Sequence, residues 1–203
     1  MKAYHFVGET LRDGGPIPAD GEWLVHAGEI IPCKSGLHAS VEPFDALTHA
    51  PGSTLCLVAL EGDLVAHGND KWVGRRRKIL KRFDATYLLR RFAADQALSV
   101  KHLWDMPTIV EEYLTTLDAT KRDAAYAAAY GAQAAANAAY AAAVYADAWV
   151  AARAAARNAA YAAAVYADAW VAALDAARSD FNKRIEKELK ENENANLPKS
   201  ECD

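Results

Sequence analysis

Residues 137–157 read NAAYAAAVYADAWVAARAAAR, and residues 158–178 repeat them as NAAYAAAVYADAWVAALDAAR, identical at 19 of 21 positions. The surrounding tract, 124–177, holds 32 alanines in 54 residues, with Gly131 its one glycine and no proline. Alanine has the highest intrinsic helix propensity, so the tract predicts helix. An unbroken helix over 122–190 would be roughly 100 Å long. A domain of a hundred residues has a radius of gyration of only about 13 Å and is expected to be too small to cover it. The cover is therefore expected from a second copy, or from a fold-back near Gly131 into a helical hairpin or bundle.

The period of 21 bears on that pairing. In a straight helix a 21-residue step returns about 60° short, whereas at 3.5 residues per turn it is three heptads and returns to the same face. Coiled-coil-like pairing would then present Tyr140, Val144, Tyr145 and Trp149, with their counterparts Tyr161, Val165, Tyr166 and Trp170, to one partner surface. Their arc is about half the circumference, wide enough for two neighbours. Alanines between the aromatics permit close backbone approach.

Outward from the repeats, 106–190 reads as an alanine-rich helical region, and 191–203 (ENENANLPKSECD) as a polar tail without structure. Residues 1–105 differ in kind and predict an α+β head domain. Runs at 3–7 (AYHFV), 23–26 (WLVH), 54–60 (TLCLVAL) and 64–67 are rich in strand formers, separated by Gly, Pro and Asp. A short helix is expected over 41–49, stopped by Pro51-Gly52. A basic, strand-like run over 72–83 leads to Asp84, an N-cap for an amphipathic helix over 85–98, and Met106-Pro107 opens another over 108–117. The fold class is an α+β N-terminal domain followed by a long alanine-rich helical region.

Composition narrows the function. The 203 residues carry a net charge of −4, so the chain as a whole is not an obvious polyanion binder. The start, MKAYHFVGET, has no basic n-region followed by an apolar core, and no membrane-like apolar run of eighteen occurs; a soluble, cytoplasmic protein is expected. Cys33, Cys56 and Cys202 form an odd set without CxxC spacing, against a disulfide framework or a tetrahedral zinc site. There is no P-loop, GxGxxG, HExxH or GxSxG, so no metal, cofactor or catalytic residue is assigned.

Two stretches could carry ligand chemistry. In CKSGLHAS, residues 33–40, Gly36 permits a turn before an extended segment that points His38 and Ser40 to one face. With His5 they would line a cleft; otherwise His38 is a buried histidine satisfied by backbone. The second stretch, 71–91, has nine Lys and Arg, among them Arg75, Arg76, Arg77 and Lys78, against the single acid Asp84. Such a stripe, with Trp72, Phe83 and Tyr87 for stacking, could hold a nucleotide or nucleic acid. Its bland reading is a solvated strand face, or pairing with acids such as Glu111 and Glu112.

The order of motifs carries a resemblance. GLHAS, Pro43, Asp45-Ala46-Leu47, Ala50-Pro51-Gly52, Gly68-Asn69-Asp70-Lys71, Phe83-Asp84-Ala85, Arg91-Phe92-Ala93 and Leu103-Trp104-Asp105, ahead of an alanine-rich tail, resemble an uncharacterised family of bacterial and bacteriophage proteins over roughly 1–180. The resemblance implies a phage or prophage origin and an accessory role. His5 and the His38-Ala39-Ser40 segment are also loosely similar to elements of ADP-ribosyltransferase-like folds. They depart from that pattern in that His5 is followed by Phe6-Val7 and Glu61 is the nearby acid.

The expected function is a non-enzymatic assembly or interaction module that homo-oligomerises through its alanine-rich helices. The alternative from another class is a nucleotide- or nucleic-acid-binding head, carried on helices that only hold it in an oligomer.

Overall fold

The computed structural model describes residues 1–129, 142–144, 147–167 and 170–195. Seven strands form two antiparallel sheets. The first has the order β1–β4–β7–β2, built from β1 (Lys2–Val7), β4 (Thr54–Glu61), β7 (Arg76–Asp84) and β2 (Trp23–Val25). The second has the order β3–β6–β5, from β3 (Leu37–Ala39), β6 (Lys71–Gly74) and β5 (Val65–His67). The sheets are tied where Tyr4 and Ser40 exchange backbone hydrogen bonds of 2.7 and 2.9 Å.

The basic run expected as one strand is two strands in different sheets. Arg75 stands between them. Its N–H donates to Gly62 O at 2.7 Å, and its guanidinium binds Asp63 and the carbonyls of His26 and Gly28. These bonds hold the chain where it leaves one sheet for the other. Strand alternation then divides β7: Arg77 and Ile79 are buried, while Arg76 is exposed and Lys78 half-buried beside it.

The faces of the first sheet differ accordingly. Ala3, Val7, Cys56, Val58, Leu60 and Ile79 pack with Ala39, Leu37 and Trp72 of the second sheet. Phe6 and Leu55 face the helices. A bulge between Leu57 and Val58 shifts the β4–β7 register and preserves both apolar faces.

The head's helices are α1 (Pro43–Thr48) and α2 (Thr86–Ser99), followed by α3 (Thr108–Thr116). Asp84 accepts from the Thr86 N–H at 2.8 Å, one position ahead of the residue where the α2 backbone turns helical. That bond and the Thr86 hydroxyl hold its carboxyl below the usual range. Trp104 packs against the helical core, and its indole N–H is the one fully buried side-chain polar atom lacking a partner among the described residues.

The alanine-rich tract enters as α4 (Arg122–Ala129), α5 (Ala148–Ala167) and α6 (Trp170–Ala195). As far as it is described, the head does cover it, contrary to the expectation from size. Ala148, Ala151, Ala152, Ala155, Ala156 and Ala159 are buried, and α5 lies along α2, whose Ala93, Ala94 and Ala97 are buried too. Two alanine faces allow backbones near the short end of the 8–10 Å interaxial range, so a narrow helix can be absorbed into a small core. Helix α6 contacts α5, α1 and α2. It seats Phe181 with ring centroids 5.8 Å from Phe44 and 5.0 Å from Phe92, both edge-on.

Polar contacts fix α6 and α5 to α1. The Phe44 N–H donates to Asn182 Oδ1 at 2.9 Å, Asn182 Nδ2 donates to Glu42, and Arg178 pairs with buried Asp45 at 2.6 Å. At the other end Arg153 donates to Thr48 O at 2.8 Å. Helix α1 begins with Pro43 and has no side-chain cap from its own flank, so Asn182 supplies it from 138 residues away. Helix α6 continues to Ala195, five residues into the stretch expected to lack structure. No helix among the described residues is long and apolar enough to cross a membrane.

Candidate binding cleft

Between the sheets lies a cleft of about 1060 Å³. Its walls come from β1 and the loop after it (4–13), the end of β2 (24–26), the 33–40 segment, the end of α1 and the chain after it (Ala46, His49, Pro51), and Lys71 and Arg77. His5, His38 and Ser40, singled out in the sequence, all line it. Of the four basic residues named with them, Arg77 lines it and Arg75, Arg76 and Lys78 do not.

Arg77 is the unusual member. It is 7% exposed, and its guanidinium donates through Nη1 to the His38 carbonyl. Among the described residues no carboxylate lies within ion-pair distance of it. Burial pulls its pKa down from the ordinary arginine value to about 10. A buried cation without a counter-charge is costly, which makes this position the natural seat for an anion from outside the chain.

His5 lies on the cleft face of β1 with Ala3 and Val7. Burial, then the positive field of Arg77, then His38 and His49, hold its pKa well below the usual 6.5, so it is neutral at pH 7. Neither the His5 ring nor the Ser40 hydroxyl makes a hydrogen bond among the described residues, and both are placed to meet a ligand. His38 is different. Its Nε2 accepts from the Cys33 N–H at 3.2 Å, and the Gly36 backbone also hydrogen-bonds the ring. Burial first, then Lys71, Arg77 and Arg12, lower its pKa. Its half-buried ring thus holds the 33–38 loop while also lining the cleft.

That loop depends on two unusual backbone positions. Gly36 has φ +108°, and a Cβ there would lie 2.5 Å from a Val73 methyl; Cys33 has φ 66°. His26 Nε2 approaches the Ser35 hydroxyl at 3.1 Å, and Ser35 donates to Glu29 O. Burial pushes the Cys56 thiol, opposite His5 in the β1–β4 pair, up to about 11, so that sulfur stays protonated and inert. Among the described residues no cluster of three or more His, Cys, Asp or Glu could hold a metal ion.

The rest of the basic stripe is dispersed and largely self-paired. Arg76 binds Glu61 at 2.6 Å and, with Lys78, covers the Trp23 ring at 4.7 and 4.8 Å. Arg82 binds Asp20, Arg91 binds Asp95 and the carbonyls of Leu114 and Thr115, and Lys81 donates to Leu189 O. The acids named as partners from sequence go elsewhere, Glu111 to Lys101 and Glu112 to Lys121. A stripe continuous in sequence is thus shared between two sheets and a helix.

Of the proposed helix-interface residues, Trp149 is half-buried against the chain's own helical core. Val144 is half-buried, and its carbonyl accepts from Arg122. Tyr161, Val165 and Tyr166 fall within α5 and Trp170 opens α6, but their side chains lie outside the described residues, as do Tyr140, Tyr145 and Gly131 altogether. Sequence reasoning did not separate Arg77 from its basic neighbours, nor bring His26 and His49 to the cleft. The available signal was the period-2 alternation of 76–84, which sets Arg77 on the face of Ile79.

Residues 1–91 match the family model of a domain of unknown function, DUF7666. No curated protein and no solved structure matches the chain. The DUF7666 match spans both sheets, α1 and every cleft-lining residue, and ends inside α2. The alanine-rich helices lie beyond that match.

Proposed function

We propose that the chain is a binding protein whose DUF7666 head holds a small anionic ligand between its two sheets, with the alanine-rich helices as the scaffold that fixes one wall. The observation carrying this reading is Arg77, a buried guanidinium in the cleft wall with no carboxylate partner among the described residues. His5 and Ser40 add unengaged polar groups beside it. The resemblance to bacterial and bacteriophage proteins supports an accessory role for such a module.

Joining copies of the chain through the helices has less support, because the described alanine face of α5 packs on α2 of the same chain. ADP-ribosyl transfer has less support: among the described residues the acids lining the cleft are Glu9 and Asp13, and Glu61 is paired with Arg76.

The test is thermal unfolding of the full-length chain against nucleotides, cyclic dinucleotides, sugar phosphates, NAD, dicarboxylates and short oligonucleotides. The full chain is needed because Asn182, Arg178 and Arg153 hold α1. A ligand at a hundred times its Kd adds about 2.7 kcal/mol, which raises Tm by about 5–11 °C for a chain of this size. An unchanged Tm across the whole panel would refute the reading.

A further inference from the structure

Resting on that reading, we infer that the ligand is a nucleoside monophosphate, with its phosphate against Arg77, His5 and Ser40 and its nucleoside along the apolar wall of Val7, Ile17 and Leu24. Charge balance points to a dianion. Among the described residues the cleft is lined by four cations (Arg12, Lys34, Lys71, Arg77) and two acids (Glu9, Asp13), a net +2 from the Lys, Arg, Asp and Glu side chains. Asp13 is already engaged with the Gly15 N–H. A phosphate monoester carries about −1.5 to −2 at pH 7, whereas a single carboxylate carries half of that.

Donor geometry points the same way. Arg77 comes from β7, His5 from β1 and Ser40 from the bridge that follows β3, so three chain segments supply polar groups to one cleft. Their approach from separate strands suits the three spread oxygens of a phosphate better than the planar pair of a carboxylate. Size argues for a body attached to the phosphate. A volume of about 1060 Å³ is at the upper end of small-molecule sites. A bare phosphate would leave the part of the cleft lined by the half-buried Ile17 and Leu24 unfilled.

Isothermal titration calorimetry of the full-length chain in phosphate-free buffer, with AMP, GMP, CMP and UMP, the four nucleosides, inorganic phosphate and succinate, tests this. At least one monophosphate is expected to bind at least tenfold more tightly than its own nucleoside, with inorganic phosphate competing. Arg77→Met should abolish that tenfold advantage. Ser40→Ala should reduce it several-fold and is the fallback if the first variant does not fold. A nucleoside that binds as tightly as its monophosphate, inorganic phosphate binding with no nucleotide binding, or succinate binding alone would each overturn the nucleotide assignment while leaving the anion-binding reading standing. Silence from every probe would overturn the nucleoside-monophosphate assignment, and the wider unfolding panel would then decide the anion-binding reading.

Discussion

Replacing Arg77 by methionine separates a residue kept for a ligand from one kept for the fold. Its pKa, pulled from the ordinary arginine value down to about 10, corresponds to about 3 kcal/mol of disfavoured charge at about 1.36 kcal/mol per pH unit. Against this stands the bond from Nη1 to the His38 carbonyl, and a hydrogen bond from a charged donor contributes about 1.5–3 kcal/mol. Methionine fills much of the same volume without a charge to desolvate. The ligand-free variant should therefore be as stable as the parent or up to about 2 kcal/mol more stable, with Tm raised by at most about 8 °C. Urea unfolding at pH 7 in phosphate-free buffer, comparing midpoints at equal m, measures it. The same variant should lose any ligand-induced rise in Tm. A destabilisation above about 2 kcal/mol at unchanged m would show that the guanidinium is already compensated within the protein, and the case for an external anion would collapse.

Three further outcomes are expected. Phe181→Ala empties a fully buried site against Phe44 and Phe92 and should cost about 3–5 kcal/mol by urea unfolding; a loss below about 1 kcal/mol would mean that α6 is not seated in the core. Gly36→Ala combines a left-handed backbone with a Cβ 2.5 Å from Val73 and should destabilise by about 1–3 kcal/mol or more, whereas Gly14→Ala, equally left-handed but with open space around it, should lose only the strain. Because the folded chain keeps His5 neutral well below 6.5, the unfolded chain binds a proton first as pH falls. Stability should then drop below pH 6.5 by up to about 1.4 kcal/mol per pH unit for this group until its folded pKa is reached. His38 adds a drop of the same sign. Unfolding free energies between pH 7 and 5 should decline less steeply in His5→Gln, and parallel slopes would count against a neutral His5.

Local chemistry made the head legible. Runs of β-branched and aromatic residues at 3–7 and 54–60 became β1 and β4, Pro51-Gly52 follows three positions after the end of α1, and Asp84 marked the start of α2. These are short-range preferences, and neighbours in sequence are enough to express them. The cleft was half legible. His38 and Ser40 share a face because strand side chains alternate, and His5 stands on a neighbouring strand, but β3 itself is only three residues long.

What could not be read was set by long-range packing. The run 72–83 has one composition throughout, yet its two halves belong to different sheets, because Arg75 is held by Asp63, Gly62, His26 and Gly28 from two other loops. Within β7, strand alternation then turns Arg77 to the buried face and Arg76 and Lys78 to the other. The alanine-rich tract had a sequence-determined conformation, helix, since alanine's preference is intrinsic. Its partner was undetermined, since alanine carries almost no side-chain information about what it packs against. Only the tertiary structure decided that the described face of α5 lies on α2, where Ala93, Ala94 and Ala97 offer an equally smooth surface. The sequence by itself thus determined the local elements and the two-part composition; the packing decided which charge is buried, and so where an anion can bind.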